Sequence, residues 1–167
     1  TQELGATYDV APENSPARTR FFTNYGATTD PTPTILTSDG LAPATNNQYI
    51  LPVPTDYASA TFELLVVGTT FTGGMVSFAF YGGFFRGVDP STTTLTNYAK
   101  ETLVANVAAD ADILVDTVTG ALQVQVTGTS EAMAWSSSFV TSEIVDNIPS
   151  GNPGSNSSEL CVGVTPL

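Results

Sequence analysis

Between Ala121 and Thr127 the chain alternates strictly: Leu122, Val124 and Val126 are apolar, while Gln123, Gln125 and Thr127 are polar. Successive side chains of a strand point to opposite faces, so a period of two marks a half-buried antiparallel strand. No segment sustains the 3.6-residue period of an amphipathic helix. This periodicity restricts the chain to an all-β architecture.

Further strands follow from the same logic. Thr34–Thr37 and Gln48–Leu51 read as short strands, and Ser38-Asp39-Gly40 as a turn between them. Thr61–Thr69 carries Phe62, Leu64 and Val66 on one face and Leu65 and Val67 on the other. Apolar residues on both faces predict a central strand buried on both sides. Gly73-Gly74 marks a hairpin turn into Val76–Arg86. There Val76, Phe78, Phe80 and Phe84 share a face, opposite Ser77, Ala79, Tyr81 and Phe85, and Gly82-Gly83 predicts a bulge or bend. Thr92–Leu95 and Glu101–Val107 read as separate strands broken near Asn97. Ile113–Val118 and Ala121–Thr127 form a hairpin around Thr119-Gly120, and Ala132–Ile144 is a last long strand bringing Trp135, Phe139 and Val140 to the core.

Short strands with turn signals between them predict an antiparallel β-sandwich or jelly-roll-like domain over residues 33–146. Residues 1–32, punctuated by Pro12, Pro16, Pro31 and Pro33, read as an extended N-terminal arm. Residues 147–167 read as a linker and an apolar C-terminal tail. The arm carries Tyr8, Phe21, Phe22 and Tyr25 together with Arg18 and Arg20, the groups that tend to dominate protein interfaces. These six, with Leu160 and Val162 of the tail, are the candidate partner-binding residues. The competing reading packs the arm back on its own domain.

Charge excludes several functions. Sixteen acidic residues face four basic ones, Arg18, Arg20, Arg86 and Lys100, for a net charge of −12. Nucleic acid and anionic membrane both require a basic surface that this chain cannot build. No apolar run has transmembrane length, and no basic segment leading into an apolar one opens the chain, so neither a span nor a signal peptide is expected.

Catalysis finds little support. The chain has no histidine and a single cysteine, Cys161, read as a small buried hydrophobe beside Leu160 and Val162. A disulfide framework, a His-dependent triad and a Cys/His zinc site are thereby excluded. No phosphate-binding or dinucleotide-binding loop is present. Paired carboxylates of the glycosidase kind have no specificity among sixteen acids. Asp110, Asp112 and Asp116 have partial calcium-ligand spacing but lack the glycine and terminal glutamate of a calcium loop, and a solvated turn is preferred. Asn156-Ser157-Ser158 matches a glycosylation triplet, a pattern common by chance. The expectation is a non-enzyme without cofactor or metal.

The run Thr28–Gly40 (TTDPTPTILTSDG) resembles a phrase found in tailed-bacteriophage fibre and other virion proteins. Counterparts follow in family order: Leu65–Gly68, Val76–Arg86 ending in a basic residue, Thr92–Leu95, the hairpin Asp112–Gly128 and the end strand Met133–Val145. The likeness covers about residues 28–145 and rests on strand phrases, not on an active-site motif. The chain departs from the family at Ala111-Asp112-Ile113, where a Trp opens the hairpin, and at Gly68-Thr69, where a basic pair follows the strand.

The resemblance implies a virion β domain of the capsid-decoration or head- or tail-fibre type, frequently a homotrimer, with no catalytic residue. The leading expectation is a capsid decoration (cement) protein on the particle exterior. Its partners would be the major capsid protein or other virion proteins, engaged through the chain ends. Deletion of residues 1–27 is then expected to abolish shell binding. The alternative is a tail-fibre or receptor-binding module recognising a host glycan or protein through loops such as 86–100 and an aromatic cluster of Phe71, Tyr81 and Tyr98.

Overall fold

The alternating runs become strands and the turn residues separate them. The computed structural model describes residues 8–10, 17–51, 53–54 and 57–145, with side chains from residue 17 onward. In chain order the strands are β1 (Tyr8–Val10), β2 (Ala17–Thr28), β3 (Thr34–Leu36), β4 (Tyr49–Ile50) and β5 (Tyr57–Thr70). β6 (Met75–Gly87), β7 (Thr94–Ala105), β8 (Asp110–Asp116), β9 (Ala121–Thr127) and β10 (Met133–Val145) follow. A single 3-10 turn, Pro90–Thr92, precedes β7 and is capped by the Asp89 carboxylate, which accepts from the Ser91 N–H.

Six strands form one sheet in the order β1-β2-β10-β5-β6-β7, every pair antiparallel. A second, smaller sheet is built on β9, which pairs antiparallel with β8, β3 and β4. The two sheets pack against each other as a β-sandwich. The hairpin at Gly73-Gly74 is present, with Gly73 at φ +93°, a left-handed conformation that a side chain would strain.

One face of the large sheet supplies most of the core. Phe22, Leu64, Phe80 and Phe139 lie in one transverse row, and Trp135 and Val76 in the next but one. Leu122, Val124 and Val126 of β9 and Ile113 of β8 meet them from the small sheet. Tyr49 sits at the centre, stacked on Phe139 at 5.6 Å between centroids and edge-on to Phe22 and Phe84. Full burial of each such side chain contributes roughly 1.5–3 kcal/mol.

Four expectations are corrected. The arm predicted over 1–32 contains two strands of the large sheet, Tyr8–Val10 and Ala17–Thr28, the second lying between β1 and β10. Its inward positions carry Arg18, Arg20 and Asn24, so a hydrophobic pattern was not there to be read. Thr92–Leu95 and Glu101–Val107 are not separate strands but parts of one, β7, with two register shifts. The first shift leaves Asn97 as an extra residue opposite Gly82-Gly83, at φ +37°. The predicted irregularity is therefore real, but the extra residue is on the partner strand. Val140 points away from the core. Finally, β5 is central but buried on one side alone: Phe62, Leu64 and Val66 are inside, while Leu65 is 52% and Val67 37% exposed.

Candidate interaction surface

Two groups of residues stand out: a buried charge cluster beneath the edge of the core and the open face of the large sheet. The cluster forms because β2 and β10 are paired in a register that sets Arg18 opposite Glu143 and Arg20 opposite Thr141. Glu143 is 2% exposed. Its Oε2 accepts from Arg18 Nε at 3.0 Å, and its Oε1 from Arg20 Nε at 2.7 Å and Thr141 Oγ1 at 2.9 Å. The Tyr49 hydroxyl also donates to Oε1. Arg20 Nη2 donates to the Ile50 carbonyl, and its guanidinium lies 4.7 Å from the Tyr49 ring centroid.

Burial alone would lower the Arg20 pKa, but the field of Tyr49 and the hydrogen bond and charge of Glu143 together turn the net shift upward. Arg20 stays cationic. Burial, then the Glu143 charge, pushes the Tyr49 phenol above its ordinary value. Tyr49 stays protonated and acts as donor. The cluster locks β2, β4 and β10 together, and its chemistry is that of a satisfied structural network.

The remaining cation of β6, Arg86, is 3% exposed. Its Nη1 donates to the Leu51 carbonyl at 3.0 Å, while Nε has no partner among the described residues.

The opposite face of the large sheet is uncovered by any described element. Its rows run across the strands. The row Phe21, Val140, Glu63, Tyr81 is set by register and carries large side chains. The next row, Thr19, Ser142, Thr61, Gly83, is small. A trough of about 750 Å³ follows this small row, with Phe85 and Ile144 along it. Phe21 is 42%, Tyr81 44%, Phe85 40% and Ile144 54% exposed. Glu63 and Glu101 are the carboxylates that β2, β10, β5, β6 and β7 turn to this face. The other described acids lie on turns, on β8, in the core, or, for Asp9, on β1.

The sequence-derived candidates fall into three sets. Arg18 and Arg20 bind Glu143 within the chain, and Phe22 is core. Phe21 and Tyr25 are half-exposed on the open face; Tyr25 also pairs through its backbone with Thr37. Tyr8 belongs to β1, opposite Phe21, with its side chain outside the described residues. Leu160, Cys161, Val162 and Asn156 also lie outside the described residues.

The structure separates the aromatic trio named for a receptor tip. Phe71 is at the β5–β6 turn, Tyr81 is on the open face, and Tyr98 shares its row with Gly82 on the inner side and donates to Asp112. Asp110, Asp112 and Asp116 take separate partners: Lys100, Tyr98 and Thr119. Backbone and side-chain donors around Thr119 and Val118 hold the Asp116 carboxyl below its ordinary pKa. Among the described residues no three His, Cys, Asp or Glu side chains are placed to hold a metal ion.

Sequence reasoning missed the open face and Glu143. Its signal for the face is present as apolar residues on both sides of β5 and β6, which for β5 reads equally as burial on both sides. Its signal for Glu143 was a lone carboxylate in the inward phase of β10, after Met133, Trp135, Ser137, Phe139 and Thr141.

Comparison with protein-family models, with curated proteins and with solved structures returns no matching protein.

Proposed function

We propose that this chain is a structural, non-catalytic protein that works by binding other protein surfaces, and that it serves as a capsid decoration (cement) protein of a phage particle. The open face of the six-stranded sheet carries this reading. Five strands of 12 to 14 residues build it. At strand spacings of about 4.8 Å and rises of about 3.3 Å per residue, the face spans roughly 900 Å². A stable protein interface covers about 800 Å² per partner. Phe21, Leu65, Tyr81, Phe85, Val140 and Ile144 are exposed on it among Ser and Thr, a mixture of apolar and uncharged polar groups of the kind that protein interfaces carry.

The virion assignment is supported by the strand phrases from Thr28 to Val145, and the face that carries the reading holds two carboxylates among the described residues, Glu63 and Glu101. A cement protein stabilises a shell by adding buried area that exists in the assembled state alone. The face supplies area for contact with another protein without any bond-making group. The receptor-tip alternative is weakened by the dispersal of Phe71, Tyr81 and Tyr98.

The test is addition of the intact chain to purified shells that lack it. Saturable binding at hundreds of copies per shell is the expected result. Failure to bind shells, with binding to host cells instead, would overturn the decoration reading in favour of a fibre. Deletion of residues 1–27 is unsuitable as a control, because it strips β2 from the sheet and leaves β10 unpaired on that side.

A further inference from the structure

We infer that the open face of the large sheet pairs with the same face of a second copy, related by a two-fold axis running across the strands. This rests on the reading of that face as a protein–protein interface; it names a second copy as what covers the face, so that the pair meets a shell through its remaining surface.

Copies of a chain at −12 repel one another unless they meet where the charge is not. Glu63 and Glu101 are the carboxylates that the five long strands turn to the open face. Two carboxylates on the whole face leave two copies less repulsion here than at a random meeting of chains at −12.

The row pattern then selects the geometry. Consider an axis lying over the sheet, across the strands, midway between the row of Val140 and the row of Ser142. Rotation brings each strand over its own counterpart, antiparallel, with large and small rows exchanged. In β10, Val140 then faces Ser142, and Ile144 faces Ser138. In β6, Tyr81 faces Gly83. In β5, Leu65 faces Ser59.

One register thus matches a bulky side chain to a small one in each of these three strands, and every match occurs twice by symmetry. Interdigitation of large with small across facing layers is how two sheets pack at about 10 Å. Such an isologous contact closes on itself and builds no filament.

Glu63 meets Thr61, whose hydroxyl can donate to it. The four facing rows, across five strands, cover roughly 650 Å² per copy, or about 1,300 Å² in total. That lies within the 1,200–2,000 Å² of a specific interface.

The edges of the sheet are poorer candidates. β7 is a long edge strand, but its two register shifts interrupt the ladder it could offer.

Two measurements test the pairing on the full chain. Sedimentation equilibrium should give twice the monomer mass. Val140→Arg should return it to one monomer mass with an unchanged circular dichroism spectrum, because Val140 is partly exposed and outside the core. Val118→Arg, at a turn 83% exposed and off the face, should remain a dimer.

Register is read by crosslinking. In a Cys161→Ser background, chains carrying Val140→Cys are mixed with chains carrying Ser142→Cys. A bismaleimide spanning about 10 Å, the spacing of packed sheets, should link the two. Val140→Cys mixed with Val118→Cys should not be linked.

A chain that is monomeric at all concentrations, a trimer, or a dimer indifferent to Val140→Arg would each overturn the two-fold pairing. A monomer that still coats shells, and loses this with Val140→Arg, would do so while leaving the proposed function in place. A chain that neither pairs nor coats shells would sink both.

Discussion

The two faces of the large sheet are made from the same kinds of residue but lead different lives. Phe139 and Val140 are neighbours on β10. The first is 1% exposed between Leu64 and Tyr49, and the second 36% exposed between Phe21 and Glu63. Strand alternation decides which residues share a face. It does not decide what covers that face. The inner face is covered by β8, β9, β3 and β4, and the outer by no described element. The difference teaches that an apolar strand pattern measures how much surface needs a partner, and that the partner need not be in the same chain.

The largest effects should fall on the inner face. Phe139→Ala removes an aromatic group that packs on both Tyr49 and Phe62. Truncating a buried Phe costs about 3–5 kcal/mol, so denaturant unfolding of this variant should show a much lower midpoint, or no folded baseline. A loss under about 1 kcal/mol would break the contrast between the faces, because it would mean that the interior is loosely packed.

The next effect is one of pH, and it belongs to the buried cluster. Tyr49 has a folded pKa raised above its unfolded value of about 10. The folded chain therefore holds a proton that the unfolded chain releases. The stability tied to this proton is fully present below about pH 10 and is lost as pH rises toward the folded value. Wild-type chain should thus lose stability progressively above pH 10. Tyr49→Phe should flatten that decline while lowering stability near neutrality, since one donor to Glu143 is gone. Tyr98, raised by its hydrogen bond to Asp112, leaves a residual slope. Equal alkaline slopes for the two proteins would show that Tyr49 does not hold its proton through the fold.

How much of this could be read in advance follows from where each residue's partner lies. β9 and β10 were legible because their inward positions alternate within a few residues. β2 was hidden because its inward Arg20 is made acceptable by Glu143, 123 residues away. Local sequence shows a polar residue there and cannot show the carboxylate that satisfies it. β7 was split because extra residues at its register shifts reverse the phase of alternation. The open face was half legible: Leu65, Val67, Tyr81 and Phe85 announced a second apolar surface, but only the count of strands in the small sheet shows that the described elements leave it uncovered.

The smallest effect sharpens the comparison most. Val140→Ser exchanges a half-exposed methyl pair for a hydroxyl on a face already rich in Ser and Thr, and its β10 backbone pairs are untouched. Surface substitutions of this sort change monomer stability by no more than about 0.5 kcal/mol. In dilute solution, then, Val140→Ser should unfold with the wild type, in contrast to the adjacent Phe139→Ala. At higher protein concentration the two should part, because a partner that binds only the folded chain adds stability by mass action. Wild-type unfolding should shift to higher denaturant as concentration rises, and the variant should shift less. Curves that superimpose at every concentration would leave the outer face with no partner of its own kind. A large loss already in dilute solution would mean that Val140 belongs to the core after all.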